Sequence, residues 1–590
     1  MFIKTITNKK TGITNVYLVE GYRDINNAVK HRTIKSYGRL DILKKQDPNI
    51  LIKLRSEAKN TTNNGIVNLS FNIKSTANER KKSFNYGYYF LEAIYKKLEI
   101  DKFLFFKSNN YKFEYNLNDI MKLLVFSRIL NPASKLRTWE NQKCFFEPFN
   151  TEYGDIIRSL NVINDIKEDL QLHIHKNITN IYGRDTTLMF YDVTNYYFEK
   201  DYEDSDILND ETGEVKEGFR KKGMCKANTR NPLVVMGLLI DSNGIPVAYK
   251  LFKGNTSDYK TLIPILSELK EKYKIDRIIT TADKGLNSGN NLAYMVLNGD
   301  GYIVSQKIRG SKKNFIEIVL NQEGYIFNKK KTHKSKSITR EREMSFTGYF
   351  NKEYVKDKKV KLKEKVVIFW SKDYDERMKY KRKEIMKKIE EYKKNPKAFK
   401  ASNTYGIKRY FKTKQVDKKT GEEIKGRTKI IFDEEKYNRD IALDGYYAIV
   451  TSEVNLTDEE IISKYRGLID IEDAFRIIKS DLEGRPIYVR CEENIEGHFL
   501  ICFIALIISR LLLNYLNKGK KKEETKISID RLKEALNSAR VKNLGKNIYE
   551  FEETSDLVRE IEERFNVDGD FAQIPIEQFK KYVKSIFDNI

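Results

Sequence analysis

The sequence predicts an α/β protein whose core is a mixed sheet. Between residues 186 and 305, five apolar runs read as strands: a charged excursion separates the first from the second, a turn at Asn243-Gly244 joins the second to the third, and the last two alternate with helical periods. A strongly charged stretch, 311–440, interrupts that order before one more strand and an amphipathic helix restore it. The chain before residue 180 is different again: a β-rich segment, then helices.

Length and charge bound the rest. A chain of 590 residues exceeds one ordinary core and suggests roughly three to five domains or subdomains. With 109 Lys+Arg against 84 Asp+Glu, a net charge of +25 and 40% hydrophobic residues, it is a folded protein with a basic surface. A phosphate-backbone ligand rewards such an excess through counterion release, although AT-rich coding also favours Lys, Asn, Ile and Tyr. Cys144, Cys225, Cys491 and Cys502 are scattered, which argues for a reducing compartment and against a zinc ribbon. The first ten residues hold no apolar signal, and Phe499–Ile508 is too short to span a bilayer. The expectation is a cytoplasmic protein with no membrane partner.

In chain order, residues 1–60 read as a hairpin plus a third strand, Phe2–Thr7, Val16–Val19 and His31–Tyr37, with no legible function. Residues 61–80, rich in Asn, Ser and Thr, look like a linker opening a 61–180 helical region. In it, Tyr88–Leu98 and Asn116–Ile129 have helical periodicity, and the basic Ser134–Trp139 suits either a DNA grip or a solvated face. Strands follow at Thr186–Val193, Leu233–Asp241 and Ile245–Leu251, then helix, strand Arg277–Asp283, helix, and strand Tyr302–Ser305. Three antiparallel strands, then helix, strand, helix, strand is the order of a ribonuclease H-like core, here 181–310. Residues 311–440 are read as a mostly β insertion, 441–520 as the second part of the core, and 521–590 as a C-terminal helical region.

Within 441–520, Tyr465–Lys479 reads as one helix. It carries Tyr465, Glu472, Arg476 and Lys479 at spacings of seven, four and three on one face, and Gly484 and Pro486 end it. Alone it is equally a surface helix with i,i+4 ion pairs. Asp192 and Asp283, however, each sit at the end of an apolar strand. Two strand carboxylates and Glu472 are hard oxygen donors of the kind Mg²⁺ prefers. Two such ions would activate a water or a 3′-hydroxyl and stabilise the leaving oxygen of a phosphodiester displacement. Any one of these aspartates, alone, is more simply a turn cap.

The motifs Y-D-V-T at Asp192, G-N-T-S-D at 254–258, T-A-D-K-G at Asp283, and Y-R-G-L-I-D-I-E-D-A-F-R-I-I-K at Glu472 occur in that order. The trailing R-P-I-Y-V-R and H-F-L-I-C-F-I-A-L complete the set. On these residues the chain resembles the DDE transposases of bacterial insertion sequences, in the subgroup with a Tyr-Arg-Glu-Lys motif and a β insertion before the glutamate. The subgroup's arginine position is Leu468 here, while Arg466 follows Tyr465. The resemblance implies Asp192, Asp283 and Glu472 as catalytic and metal-binding residues, with two Mg²⁺ ions that Mn²⁺ can replace. It implies phosphate contacts from Tyr465, Arg466, Arg476 and Lys479, and base flipping against an aromatic of the insertion, for which Trp370 is a candidate. Lys221, Lys222, Lys226 and Arg230 suit either a backbone track or a solvated loop. The implied partners are double-stranded DNA, as terminal inverted repeats and target, and a second subunit in a homodimer on paired ends; nucleoid association follows when DNA is bound. A catalytically silent DNA-binding descendant and a structure-selective nuclease on the same fold are the alternatives.

Overall fold

The five apolar runs pair in the order the sequence predicts. The computed structural model describes residues 2–9, 11–23, 29–47, 49–61, 82–208, 212–394, 407–416, 423–521, 524–545, 547–569 and 571–589. It divides into two units, Met1–Arg80 and Lys81–Ile590. The expected linker lies, beyond Thr61, outside the described residues. In the small unit Phe2–Thr7, Thr14–Arg23 and Val29–Arg39 form an antiparallel sheet. Two helices, Leu40–Gln46 and Ile50–Thr61, complete it, with Val16, Leu18, Val19, Leu54 and Ala58 buried.

In the large unit the runs become β1 (Leu188–Tyr197), β2 (Leu233–Asp241), β3 (Pro246–Lys253), β4 (Ile279–Ala282) and β5 (Gly301–Gln306). They lie side by side as β3-β2-β1-β4-β5, with β1 to β3 antiparallel and β4 and β5 parallel to β1. Between them run α1 (Leu262–Glu268) and α2 (Gly289–Leu297), the latter capped by the Ser288 side chain. The order is the one expected of a ribonuclease H-like core. One boundary differs: β1 continues to Tyr197, so Asp192 lies inside the strand and not at its end.

The 311–440 stretch is less separate than its charge suggests. Its longest strands, β6 (His333–Phe350) and β7 (Glu353–Ser371), form a hairpin, and β7 pairs with β8 (Tyr446–Thr451), which pairs with β5. The hairpin therefore extends the core sheet. The physical reason lies in Val366–Phe369, apolar on both faces and so driven into a sheet interior. Deeper in the same sheet Glu364, fully buried, accepts from Tyr302 Oη at 2.7 Å and from Arg340 and Arg342 at 2.7–2.8 Å, which ties both hairpin strands to β5. The remainder of the stretch includes the charged helix Lys372–Lys394 and a small strand pair.

Helices cover both faces of the sheet. Met189, Tyr191 and Val193 of β1 pack with Leu266 of α1 and Met295 of α2. Phe190 and Tyr196, on the opposite face, pack with Ile471 and Phe475 of α4 (Leu468–Arg476) and Phe499 of α5 (Glu492–Asn517). Helix α5 is long and apolar enough to cross a membrane, but 83% of its most apolar window is buried, as a core helix requires. The helices Tyr88–Lys97, Leu117–Leu130 and Tyr153–Asp165 surround it and share its core. Residues 521–590 hold three described helices and strands of a four-stranded sheet, in which Arg540–Gly545 pairs with Ser83–Asn85.

A buried ion pair pins the helices to the sheet. Arg184 Nε lies 2.9 Å from Asp241 Oδ2, both side chains at most 2% exposed. Burial lowers the Arg184 pKa and raises that of Asp241; Arg184 also donates to Pro246 O at 2.8 Å, and Asp241 Oδ1 accepts from the Asn243 and Ile245 backbone N–H groups at 2.9 Å. Arg184→Ala is expected to cost about 3–5 kcal/mol in chemical denaturation, because it strands a buried carboxylate.

Candidate active site

Sheet register alone brings two of the expected carboxylates together. Tyr191 pairs with Ala282 across the parallel β1 and β4, so Asp192 and Asp283 are the next residues on neighbouring strands, with backbones about 5 Å apart. Period two places Asp192 on the face of Phe190 and Tyr196, beneath α4. On the far side Ala282 pairs with Val304, and Ser305 donates to Asp283 Oδ1 at 3.1 Å. Asp192 is half-buried; Asp283 and Glu472 are exposed. Burial raises the Asp192 pKa, and the negative charges of Asp283 and Asp258 add to it, while Lys226 opposes them. Asp258, the last residue of the G-N-T-S-D motif, is thus a third carboxylate in the field of Asp192. No chemistry is read from it in the sequence, although the motif was its signal.

The helix expected over Tyr465–Lys479 is broken. Helix α3 (Asp458–Arg466) ends at Gly467, α4 follows, and a π turn, Ile477–Asp481, closes it. The joint packs closely on the sheet: a Cβ at Gly467 would lie 2.3 Å from Phe190 Cζ, so only glycine lets the α3–α4 joint rest on β1. Tyr465, Arg466, Leu468 and Glu472 then line, with Asp283 and Ser305, a cleft of about 660 Å³. Tyr465 is pushed up to about 12 by burial and by Asp283, Glu472 and Asp192, against a hydrogen bond with Ser305. One phenol therefore feels all three expected carboxylates. Among the described residues no three acidic, His or Cys side chains close into a metal cage.

The cations divide. Arg476 turns away, 2.9 Å from both Asp473 and Asp481. Lys479 instead reaches β1, its Nζ 2.5 Å from Thr194 Oγ1 and 5.4 Å from the Tyr196 ring centroid. Burial lowers its pKa, as do Lys226 and Arg485, and Asp192 opposes them. Lys226 donates to Val193 O, and Arg485 sits 3.9 Å over the Tyr197 ring. Lys226, Lys479 and Arg485 thus flank the β1 segment that follows Asp192. Of the other loop cations named from the sequence, Lys221 is paired with Asp206 at 2.6 Å. Arg485, by contrast, carried no signal beyond its place in the R-P-I-Y-V-R run.

The far wall of the cleft is aromatic. Phe369 of β7 stacks on Tyr447 of β8 at 5.5 Å, and Tyr374 lies 4.4 Å from Tyr447. Lys284, Lys307 and Arg377 line the same cleft, and no described carboxylate pairs with them or with Arg466. Trp370 does not line it; its ring lies under Lys334 instead.

A family model described as transposase DDE domain matches residues 203–508, just over half of the chain. That span includes Asp283 and Glu472 and begins after Asp192. A second, described as IS1634 family transposase, N-terminal domain, matches residues 3–64, nearly the whole described part of the small unit. A comparison with curated proteins finds no match.

Proposed function

The chain belongs to the DDE transposases, enzymes that act on DNA, and from that premise we propose that it cuts DNA at the ends of an insertion sequence and joins the freed 3′ ends to a target. The observation that carries the reading is the in-register pair Asp192–Asp283, with Glu472 lining the same cleft as Asp283. The expected phosphate contacts are revised accordingly: Lys479, with Lys226 and Arg485, and Arg466 at the cleft mouth, in preference to the ion-paired Arg476.

Transposase DDE domains generally use divalent metals, and these residues fit one in an open form. Mg²⁺ is commonly held by only one or two carboxylates, with waters and substrate phosphate completing its shell. Asp192 and Asp283 would hold it, Glu472 approaching from α4, with two ions the full complement and Mn²⁺ a substitute. The ion supplies charge for the attacking and leaving oxygens. The chain's own residues do the rest: Lys226, Lys479 and Arg485 hold a phosphate beside Asp192, and Tyr465 and Ser305 keep Asp283 oriented. The stacked Phe369 and Tyr447, with Tyr374, offer a face for an unpaired base, the part for which the resemblance makes Trp370 a candidate. We propose a homodimer on paired ends as the working form.

The test is incubation of the purified protein with DNA carrying the repeats that flank its gene. Nicks at the repeat ends that leave 3′-hydroxyls, with Mg²⁺, support the reading. Binding without nicking in Mg²⁺ or Mn²⁺ points to a silent descendant, and cutting regardless of end sequence points to a nuclease. Lys479→Ala is expected to lower the slope of log K against log salt by about one, measured by DNA-binding titrations across salt concentrations.

A further inference from the structure

The segment that leaves the Glu472 helix, Asp481–Gly484, has each of its backbone carbonyls bonded by a side chain from elsewhere. Lys533 donates to Asp481 O at 3.2 Å, and Arg128 Nη1 to both Leu482 O and Glu483 O at 3.3 Å. His498 Nε2 lies 3.1 Å from Gly484 O. A carbonyl only accepts, so Nε2 carries the proton, and Nδ1 accepts from Lys135 Nζ at 3.1 Å. The donors come from three helices: Leu117–Leu130, α5 and Ile529–Ser538.

Arg128 and His498 are 5% and 4% exposed, and with the equally buried Lys135 they form a polar group inside a largely apolar helical core. Burying such groups is costly, and a helix end can be capped by glycine or water without them. What they hold explains the expense. Lys479 lies two residues before the gripped carbonyls and Arg485 directly after them, and both land on β1, at Thr194 and on Tyr197. Arg128 also fastens Ala133 O at 3.1 Å, so the loop is clamped to the turn after the Leu117–Leu130 helix.

We infer that Arg128 and His498 are positioning residues that set Lys479 and Arg485, and with them the DNA phosphate, against the strand of Asp192. The inference rests on the proposed contact between Lys479 and DNA. Arg128→Lys keeps the charge but not the fork that spans three carbonyls. It is expected to lower the salt slope of DNA binding by about one, as Lys479→Ala does. Combining the two is expected to lower it no further, because both remove the same contact. His498→Phe is expected to behave like Arg128→Lys, and His498→Gln, which restores a donor, to recover the slope; this pair also serves should Arg128→Lys not fold. A lowered melting temperature with an unchanged slope in Arg128→Lys and His498→Phe overturns the inference and leaves a purely structural role. An unchanged slope in Lys479→Ala itself overturns the phosphate contact beneath it, so the two failures are distinguishable.

Discussion

Asp283→Asn is expected to reduce Mg²⁺-dependent cleavage of end-containing DNA by on the order of 10³-fold or more, with DNA binding nearly intact. The magnitude follows from the role: an ion that stabilises transition-state charge is worth several kcal/mol, and each 1.36 kcal/mol is about tenfold in rate. Binding is spared because the substitution is isosteric and removes no cation: Lys226, Lys479 and Arg485 flank β1, and Arg466 keeps its place in the cleft. The Ser305 hydroxyl still finds an acceptor in the asparagine carbonyl. Stability is not expected to fall. The Asp283 charge raises the pKa of its neighbour, so it opposes ionisation of Asp192 in the folded state. Removing that charge relieves the repulsion, which is the usual trade between an active site and stability. Parallel measurements of cleavage, binding and melting temperature check all three parts, and full cleavage by the variant would sink the metal assignment.

The contrast between Asp192 and Glu472 shows what the sequence can carry. A strand carboxylate is legible because a run of apolar residues sets its strand, and the strand order sets its neighbours. Pairing Tyr191 with Ala282 then follows from topology. A carboxylate on a helix is less legible, since its position depends on where that helix meets the sheet. The apolar period around Glu472 runs through Gly467 without interruption, so a single helix is the natural reading. The joint at Gly467 rests against Phe190, far away in sequence, and no local pattern reports that contact. The same limit explains the cations. Arg476 and Lys479 share a face on an ideal helix, but the π turn and two aspartates send one to an ion pair and the other to β1. The charge of 311–440 misleads in another way: alternate lysines on an outward strand face hide a hairpin whose apolar end belongs to the core sheet.

Gly467→Val isolates that long-range contact. The new side chain begins 2.3 Å from Phe190 Cζ and meets Phe190 Cε1 at 2.6 Å, in a ring that is buried and hemmed by α4, so neither partner can yield cheaply. Overpacking of this kind costs about 1–3 kcal/mol, which a domain of this size tolerates while remaining folded. The loss in cleavage is expected to be larger than the stability loss accounts for. Lifting the α3–α4 joint moves Tyr465 and Glu472 together, away from Asp283 and Asp192, and a misplacement of about 1 Å costs on the order of 10²-fold. Trimming the obstacle is the control: Phe190→Leu combined with Gly467→Val is expected to recover cleavage, even though Phe190→Leu alone opens space in the core. Recovery in the double variant, against loss in each single one, is coupling between contacting residues. A simple sum of the two losses would mean that Gly467 matters for folding alone and that the joint does not aim Glu472.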